Sequence, residues 1–209
     1  VGDVEEFAER HWGRSQLVAR GVGPFDDLLG IDGVEALLVD LGRWPTFRLV
    51  RDGAEVPAAT YTRRTRVGVF DVEDVADVDL VLDLVAEGAT VIVQGLQRYW
   101  QPIAELCLAI EAEVSHAVHA SAAFTPAAAP GFGPHVDDHE VIVLQVAGSR
   151  RWLIAGLGEV ELSPGDTVYV PARTARTALP TDGHSLHITV GLLATTHRDV
   201  LDRKRTRLN

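Results

Sequence analysis

The sequence contains no methionine and a single cysteine, Cys107. One thiol cannot close an internal disulfide, so packing and hydrogen bonds must hold the fold, and a reducing, cytoplasmic setting is expected. Cys107 lies in an apolar helical run and reads as a buried, inert thiol rather than a nucleophile. No stretch reaches the roughly 18 apolar residues of a membrane span, and no signal peptide is evident, so no membrane partner is expected. Positive charge is scarce: 19 Lys and Arg stand against 30 Asp and Glu, a net charge of −11, which argues against a nucleic-acid backbone as a general partner. A glycine-rich phosphate loop, a C-x-x-C pair and a G-x-S-x-G elbow are also missing, which removes the usual nucleotide, redox-thiol and serine-hydrolase signatures.

What is present describes a globular chain. At 209 residues, 46% of them hydrophobic, it can bury a core as one domain with a small helical layer. The first part reads mainly as helices. One opens at Asp3 to Glu6 with Asp3 as cap, a short one starts at Pro24, and others run from Asp32 to Leu41 and Asp77 to Glu87. A long helix runs from Pro102 to about Val118, with Ile103, Leu106, Ile110 and Val114 at helical spacing. Strands are expected at 47–50 and 90–93. From Ala120 onward short apolar runs recur at 121–124, 140–146, 151–154, 159–162, 167–170, 176–179 and 185–192, broken by Gly, Pro or Asp. Many short strands with frequent turns argue a sandwich or barrel. Ser163-Pro164-Gly165-Asp166 before Thr167 to Val170 is a tight turn feeding a strand, as in a double-stranded β-helix, or cupin. The expected organisation is a helical and strand segment over 1–119 packing on a jelly-roll barrel core over 120–194, followed by a C-terminal segment over 195–209. Residues 203–209 turn abruptly basic and read as non-native.

The chemistry concentrates in Gly131 to Ile154, GFGPHVDDHEVIVLQVAGSRRWLI. His135 and Asp137, two positions apart at a strand entrance, put an imidazole and a carboxylate on one face. They supply two ligands of a 2-His-1-carboxylate triad, the non-haem Fe(II) site that leaves positions open for cosubstrate and O₂. His139 lies past the strand mouth and reads as a rim residue. Gln145 points inward with Val143 and reads as a core amide. His116 and His119, spaced i, i+3 at the expected helix end, could bind a metal or simply favour the helix dipole. The acidic residues Asp71, Glu73, Asp74, Asp77 and Asp79 read as a solvated face.

Several ordered motifs together carry a resemblance. FAERHWGRSQLVARG near the N-terminus, GATVIVQGLQRYWQPIAEL, FTPAAAPGFGPHVDDHEVIVLQVAGSRRW, LSPGDTVYVP and SLHITVGL resemble, in register, the JmjC-type cupins of the bacterial ribosomal-oxygenase class. Those proteins are Fe(II)- and 2-oxoglutarate-dependent hydroxylases. The resemblance implies iron on His135 and Asp137, and Arg150 at the place that holds the distal carboxylate of 2-oxoglutarate. It implies hydroxylation of a side chain in a protein or peptide, a ribosomal protein among the candidates. The family's C-terminal helical dimerisation region is not matched, so a homodimer would form through a region not present here.

The departures from the family are specific. The slot of the third metal ligand, a His, holds Arg176, and a guanidinium has no lone pair to give. Positions where the family has Tyr and Asn hold Ala123 and Ser121. Three readings follow. His187 is recruited as third ligand, or two protein ligands hold iron with cosubstrate and water. In the third, the barrel is catalytically silent, binds a peptide or an anionic small molecule, and has the Arg176 charge where the cation would sit. A small-molecule cupin isomerase or lyase would need metal without 2-oxoglutarate.

Overall fold

In the computed structural model, which describes residues 4–194, the segment Ser185–Leu193 shows how the chain divides itself between two cores. Leu186, Ile188, Val190 and Leu192 are buried among helices on one face, while His187 and Thr189 line a cavity on the other. Alternation along a strand produces that split.

The chain begins α1 (Val4–Arg10), β1 (Leu17–Ala19), α2 (Ile31–Leu41), β2 (Phe47–Arg51) and β3 (Ala54–Glu55). It continues β4 (Thr62–Val67), β5 (Phe70–Ala76), α3 (Val78–Ala86), β6 (Thr90–Gln94) and α4 (Gln101–Val114). Seven strands follow: β7 (Ala117–Thr125), β8 (Glu140–Gly148), β9 (Arg150–Ile154), β10 (Gly158–Leu162), β11 (Thr167–Val170), β12 (Arg176–Leu179) and β13 (Ser185–Leu193). One sheet has the order β1-β11-β8-β13-β7-β6-β2-β3, a second has β10-β9-β12, and β4 and β5 form a separate hairpin. The large sheet and the three-stranded sheet close the double-stranded β-helix barrel, with the helices outside it.

Helices α2, α3 and α4 bury Leu37, Leu38, Val81, Ile103 and Cys107 against Val91, Ala120, Ala122, Leu144 and Ile188 of the large sheet. Between the two sheets lies an apolar plug that includes Val141, Val143, Trp152, Ile154, Leu162 and Val168. Each fully buried aliphatic side chain contributes about 1.5–3 kcal/mol, so the two layers make one end of the barrel dry and rigid. The N-terminal segment is clamped to it. Arg20 pairs with Asp166 at 2.7 Å, and the backbone N–H groups of Gly21 and Ser163 donate to the same carboxylate. Phe7 and Trp12 pack on the Tyr169 ring.

Local expectations fail in instructive places. No helix forms after Pro24. Residues 26–28 make a turn, since the stretch between Gly23 and Gly30 is too short to offset helix nucleation. Helix α4 stops at Val114 because Ser115 turns left-handed (φ 55) and its N–H donates to the Glu111 carbonyl. His116 and His119 therefore do not share a helical face, and His119 belongs to β7. Asp77 stands at the start of α3, yet its carboxylate makes no capping bond and pairs with Arg63 at 3.2 Å. The acidic run at 71–74 is one strand of the β4–β5 hairpin, where Arg64 pairs with Asp71 and Glu73. β2 and β6 pair into the same sheet as β7, so that sheet crosses the boundary expected at 119/120. Cys107 is buried in the core, which pushes its thiol up to about 11. Among the described residues no helix is long and apolar enough to cross a membrane. The cap at Asp3 and the readings of 195–209 lie outside the described residues.

Candidate active site at the barrel mouth

His135 and Asp137 sit on the loop that leads into β8, some residues before the strand itself. Backbone bonds hold that loop. His135 and Arg176 exchange N–H to carbonyl bonds of 3.0 Å in both directions, and the Arg173 N–H donates to the Asp137 carbonyl at 2.7 Å. The loop thus runs as a short extended rung against the entrance of β12. The His135 Nδ1 is 2.9 Å from the Gly133 carbonyl oxygen. A carbonyl only accepts, so Nδ1 is the donor in this bond, and Nε2 is the ring nitrogen left to act as a ligand. That Nε2 is 3.8 Å from Asp137 Oδ2. The two side chains look toward each other, as their spacing suggested, although on a loop.

Arg176 enters the same spot. Its Nη2 is 2.5 Å from Asp137 Oδ2, with the arginine side chain 6% exposed and the aspartate 26%. Burial pushes the guanidinium pKa down, and the Asp137 carboxylate opposes that shift. Because residue 176 stands directly opposite residue 135 in the bridge, its side chain leaves on the same face as His135.

Arg150 faces the barrel interior and Arg151 faces out, the latter donating to Glu159 and to the Pro180 carbonyl. Arg150 is 1% exposed and donates to the Ala129 carbonyl at 3.3 Å and the Pro130 carbonyl at 2.6 Å. Burial pushes its pKa down to about 10. His187 is buried edge-on against Trp152, ring centroids 5.2 Å apart. Burial first, then the charges of Arg150 and Arg176, push its pKa down to about 3, so the ring is neutral. Its Nδ1 has no hydrogen-bond partner, and neither do Arg150 Nε, Arg176 Nε or Trp152 Nε1. Gln145 is fully buried, and its amide N–H groups donate to the Ala147 and Gly148 carbonyls and to Ser185 Oγ.

His135, Asp137, Arg176, His187, Trp152 and Arg48 are among the side chains lining one cavity of about 380 Å³. That volume falls within the roughly 300–1,000 Å³ of small-molecule sites. Arg150 is not among the lining residues and lies behind them, near enough to His187 for its charge to lower the imidazole pKa. His139, read as a rim residue, lines it too. Sequence reasoning missed Arg48, whose guanidinium lies 5.7 Å from the centroid of the Phe132 ring. The available signal was its place between Phe47 and Leu49, which fill the opposite face of β2.

The donor set fits a divalent metal in two of its three protein positions. His135 offers a lone pair and Asp137 a carboxylate, while the third position holds a cation that cannot ligate. His187 lines the cavity, but among the described residues no three His, Cys, Asp or Glu side chains gather as a metal cluster. The wall behind is a better match to its group. The buried, unpartnered N–H donors of Arg150, Arg176 and Trp152 suit an anionic carboxylate.

Comparison with known proteins points in one direction. Residues 97–159 match the JmjC domain family. The chain is 26% identical over 214 residues to the bifunctional lysine-specific demethylase and histidyl-hydroxylase NO66 of Dictyostelium discoideum, covering 90% of this chain and 40% of that protein. It is 39% identical over 115 residues to the Branchiostoma floridae NO66, covering 53% of this chain and 19% of that one. Among solved structures it superposes on the Escherichia coli ribosomal oxygenase YcfD with a TM-score of 0.65 at 21% identity, over 97% of this chain and 54% of that one. A YcfD complex with cobalt and 2-oxoglutarate superposes with a TM-score of 0.64 at 22% identity, over 95% and 53%. The chain thus spans about half the length of YcfD and less of the NO66 proteins.

Proposed function

We propose, for a chain that carries a JmjC domain on the fold of the ribosomal oxygenases, an Fe(II)- and 2-oxoglutarate-dependent oxygenase activity that hydroxylates a side chain of a protein or peptide. The observation that carries the reading is the approach of His135 Nε2 to within 3.8 Å of Asp137 Oδ2 at a cavity that Arg48 and Arg176 also line. Iron, when bound, would be held by His135 and Asp137 and would supply the activation of O₂. The chain's own residues do the rest. Gly133 fixes the His135 tautomer through its carbonyl. Arg150, with Trp152 and Arg176 beside it, would hold the dicarboxylate by charge-assisted hydrogen bonds after leaving the Ala129 and Pro130 carbonyls. The apolar plug below Trp152 keeps water from the inner end. The names of the relatives, histidyl-hydroxylase and ribosomal oxygenase, support a ribosomal-protein side chain as substrate. The lone thiol supports a reducing, cytoplasmic setting.

The test measures Fe²⁺ or Mn²⁺ binding and succinate release from 2-oxoglutarate in the native chain and in His135→Ala. Metal that binds equally to both ends the oxygenase reading.

A second reading rests on the Arg176–Asp137 ion pair. In it the guanidinium is the resident cation, and the cavity binds an anionic ligand without turnover. Arg176→His separates the two, because a large gain in metal affinity marks a lapsed metal site. 2-Oxoglutarate or succinate binding to the metal-free native chain, unaffected by His135→Ala, marks the silent barrel.

A further inference from the structure

The cavity has a second end. Arg48 of β2 stands opposite Ile92 of β6, Ile92 opposite Ala123 of β7, and Ala123 opposite His187 of β13. All four side chains line the cavity, so they form one row across four strands. Neighbouring strands lie about 4.8 Å apart, which puts the Arg48 strand about 14 Å from that of His187. Arg48 is therefore remote from the inner wall of Arg150 and Trp152. It is close to the His135 loop instead. Its guanidinium lies 5.7 Å from the centroid of the Phe132 ring, and that ring is 5.7 Å from the His135 ring. Charge in the cavity is unbalanced. Among the described residues that line it, Arg48 and Arg176 are fixed cations and Asp137 is the sole carboxylate, and Asp137 is taken by Arg176. The chain as a whole carries −11, so the cavity reverses the sign of the protein around it. Arg48 pairs with Glu55 at 3.2 Å, the arginine side chain 24% exposed and the glutamate 46%. An ion pair this open to water is weak, so an entering carboxylate can displace Glu55. The Arg48 Nε is shut off from solvent and has no hydrogen-bond partner.

We propose that Arg48 anchors the side-chain carboxylate of an aspartate or glutamate of a bound protein or peptide, at the end of the cavity away from Arg150; this rests on reading the cavity as the place where a substrate side chain enters. The carboxylate displaces Glu55 and accepts charge-assisted hydrogen bonds from the Arg48 guanidinium. The Phe132 ring supports that guanidinium through a cation–π contact. Because Phe132 neighbours both Arg48 and His135, a carboxylate held on Arg48 brings its own side chain and backbone toward the His135–Asp137 pair. A lysine or arginine side chain finds no free carboxylate among the described lining residues and meets two guanidinium groups, so the cavity selects against it.

The probes are acetylated and amidated Ala-Xaa-Ala tripeptides with Asp, Glu, Asn, Gln or Lys at the centre, so that only the central side chain carries charge. They are titrated by saturation-transfer NMR into the chain stripped of metal and dialysed free of chelator, and into Arg48→Gln, Arg150→Gln and Glu55→Gln, each checked for native circular dichroism. The expected result is that the Asp or the Glu peptide binds at least about tenfold more tightly than its amide counterpart and than the Lys peptide. That preference is lost in Arg48→Gln and kept in Arg150→Gln. Glu55→Gln removes the competing carboxylate and tightens binding of the acidic peptide severalfold, whereas a purely bracing role for Arg48 leaves it unchanged. The proposal is overturned by equal binding of acidic and neutral peptides, by no binding of the acidic ones, or by a preference that survives Arg48→Gln or disappears in Arg150→Gln. Unchanged affinity in Glu55→Gln overturns it as well. No metal takes part in these titrations, so their outcome is independent of whether His135 and Asp137 hold iron.

Discussion

Replacing Asp137 by Asn removes the counter-ion that Arg176 has among the described residues. The cost lies between two regimes. Exposed ion pairs contribute about 0–1 kcal/mol, whereas stripping one partner from a buried pair costs about 3–5 kcal/mol, because a charge is left without compensation. Here the cation is 6% exposed and the anion 26%. The guanidinium therefore feels the dry side while the carboxylate is partly solvated, and about 2–3 kcal/mol is expected. At about 2–4 °C per kcal/mol for a domain of this size, Tm falls by roughly 5–10 °C. The assay is thermal unfolding by circular dichroism in the presence of a chelator, so that no metal enters the comparison. Arg176→Met keeps the length of the stem and leaves behind a carboxylate that water can reach, so it costs less, about 1 kcal/mol. The double variant Asp137→Asn/Arg176→Met should then be more stable than Asp137→Asn alone, with a coupling of about 1 kcal/mol or more. A Tm for Asp137→Asn within about 1 °C of the native chain, or strict additivity in the double variant, refutes the reasoning.

Three further outcomes are expected. The depressed pKa of His187, about 3 against an ordinary 6.5, means that the fold keeps the ring neutral while the unfolded chain protonates it. Its contribution is whole above pH 6.5 and is lost as pH falls toward 3, with a slope of up to about 1.4 kcal/mol per pH unit. Urea unfolding at pH 7, 5 and 4 should show that slope in the native chain and a flatter one in His187→Phe; equal slopes defeat the argument. Gly148 ends β8 at φ +59, where a β-carbon would run into the His184 carbonyl oxygen, so Gly148→Ala should cost about 2 kcal/mol or more by chemical denaturation. The buried Cys107 thiol, raised to about 11, should react with a disulfide reagent at least about 100-fold more slowly in the folded chain than in urea. Comparable rates would mean that α4 opens readily.

The parts of the fold legible in the sequence are those where one strand or helix carries its own signal. SLHITVGL alternates without interruption, so its inward set, including His187, could be read directly, and β13 holds that alternation at the centre of the large sheet. Arg150 and Arg151 could be assigned to opposite faces for the same reason. The β4–β5 hairpin was not legible. TRRTRV and FDVEDVA lack an apolar stripe, and their pairing rests on ion pairs between the two strands rather than on a buried face. Short β1 is a strand only because β11 is beside it. The site divides along the same line. That Arg176 stands where the resembling family has a ligand His could be counted from VYVP, but its grip on Asp137 follows from a backbone rung between residues 135 and 176 that no local pattern announces. His119 and His139 meet over Gly191 only because β7 pairs with β13 in one register. A slip of one residue would turn His119 to the other face of the sheet. Residue types at this mouth were therefore readable, while their partners are a property of register. Variants that preserve composition but shift β7 against β13 should lose the His119–His139 approach and leave the His135–Arg176 rung intact, since that rung belongs to the β12 entrance.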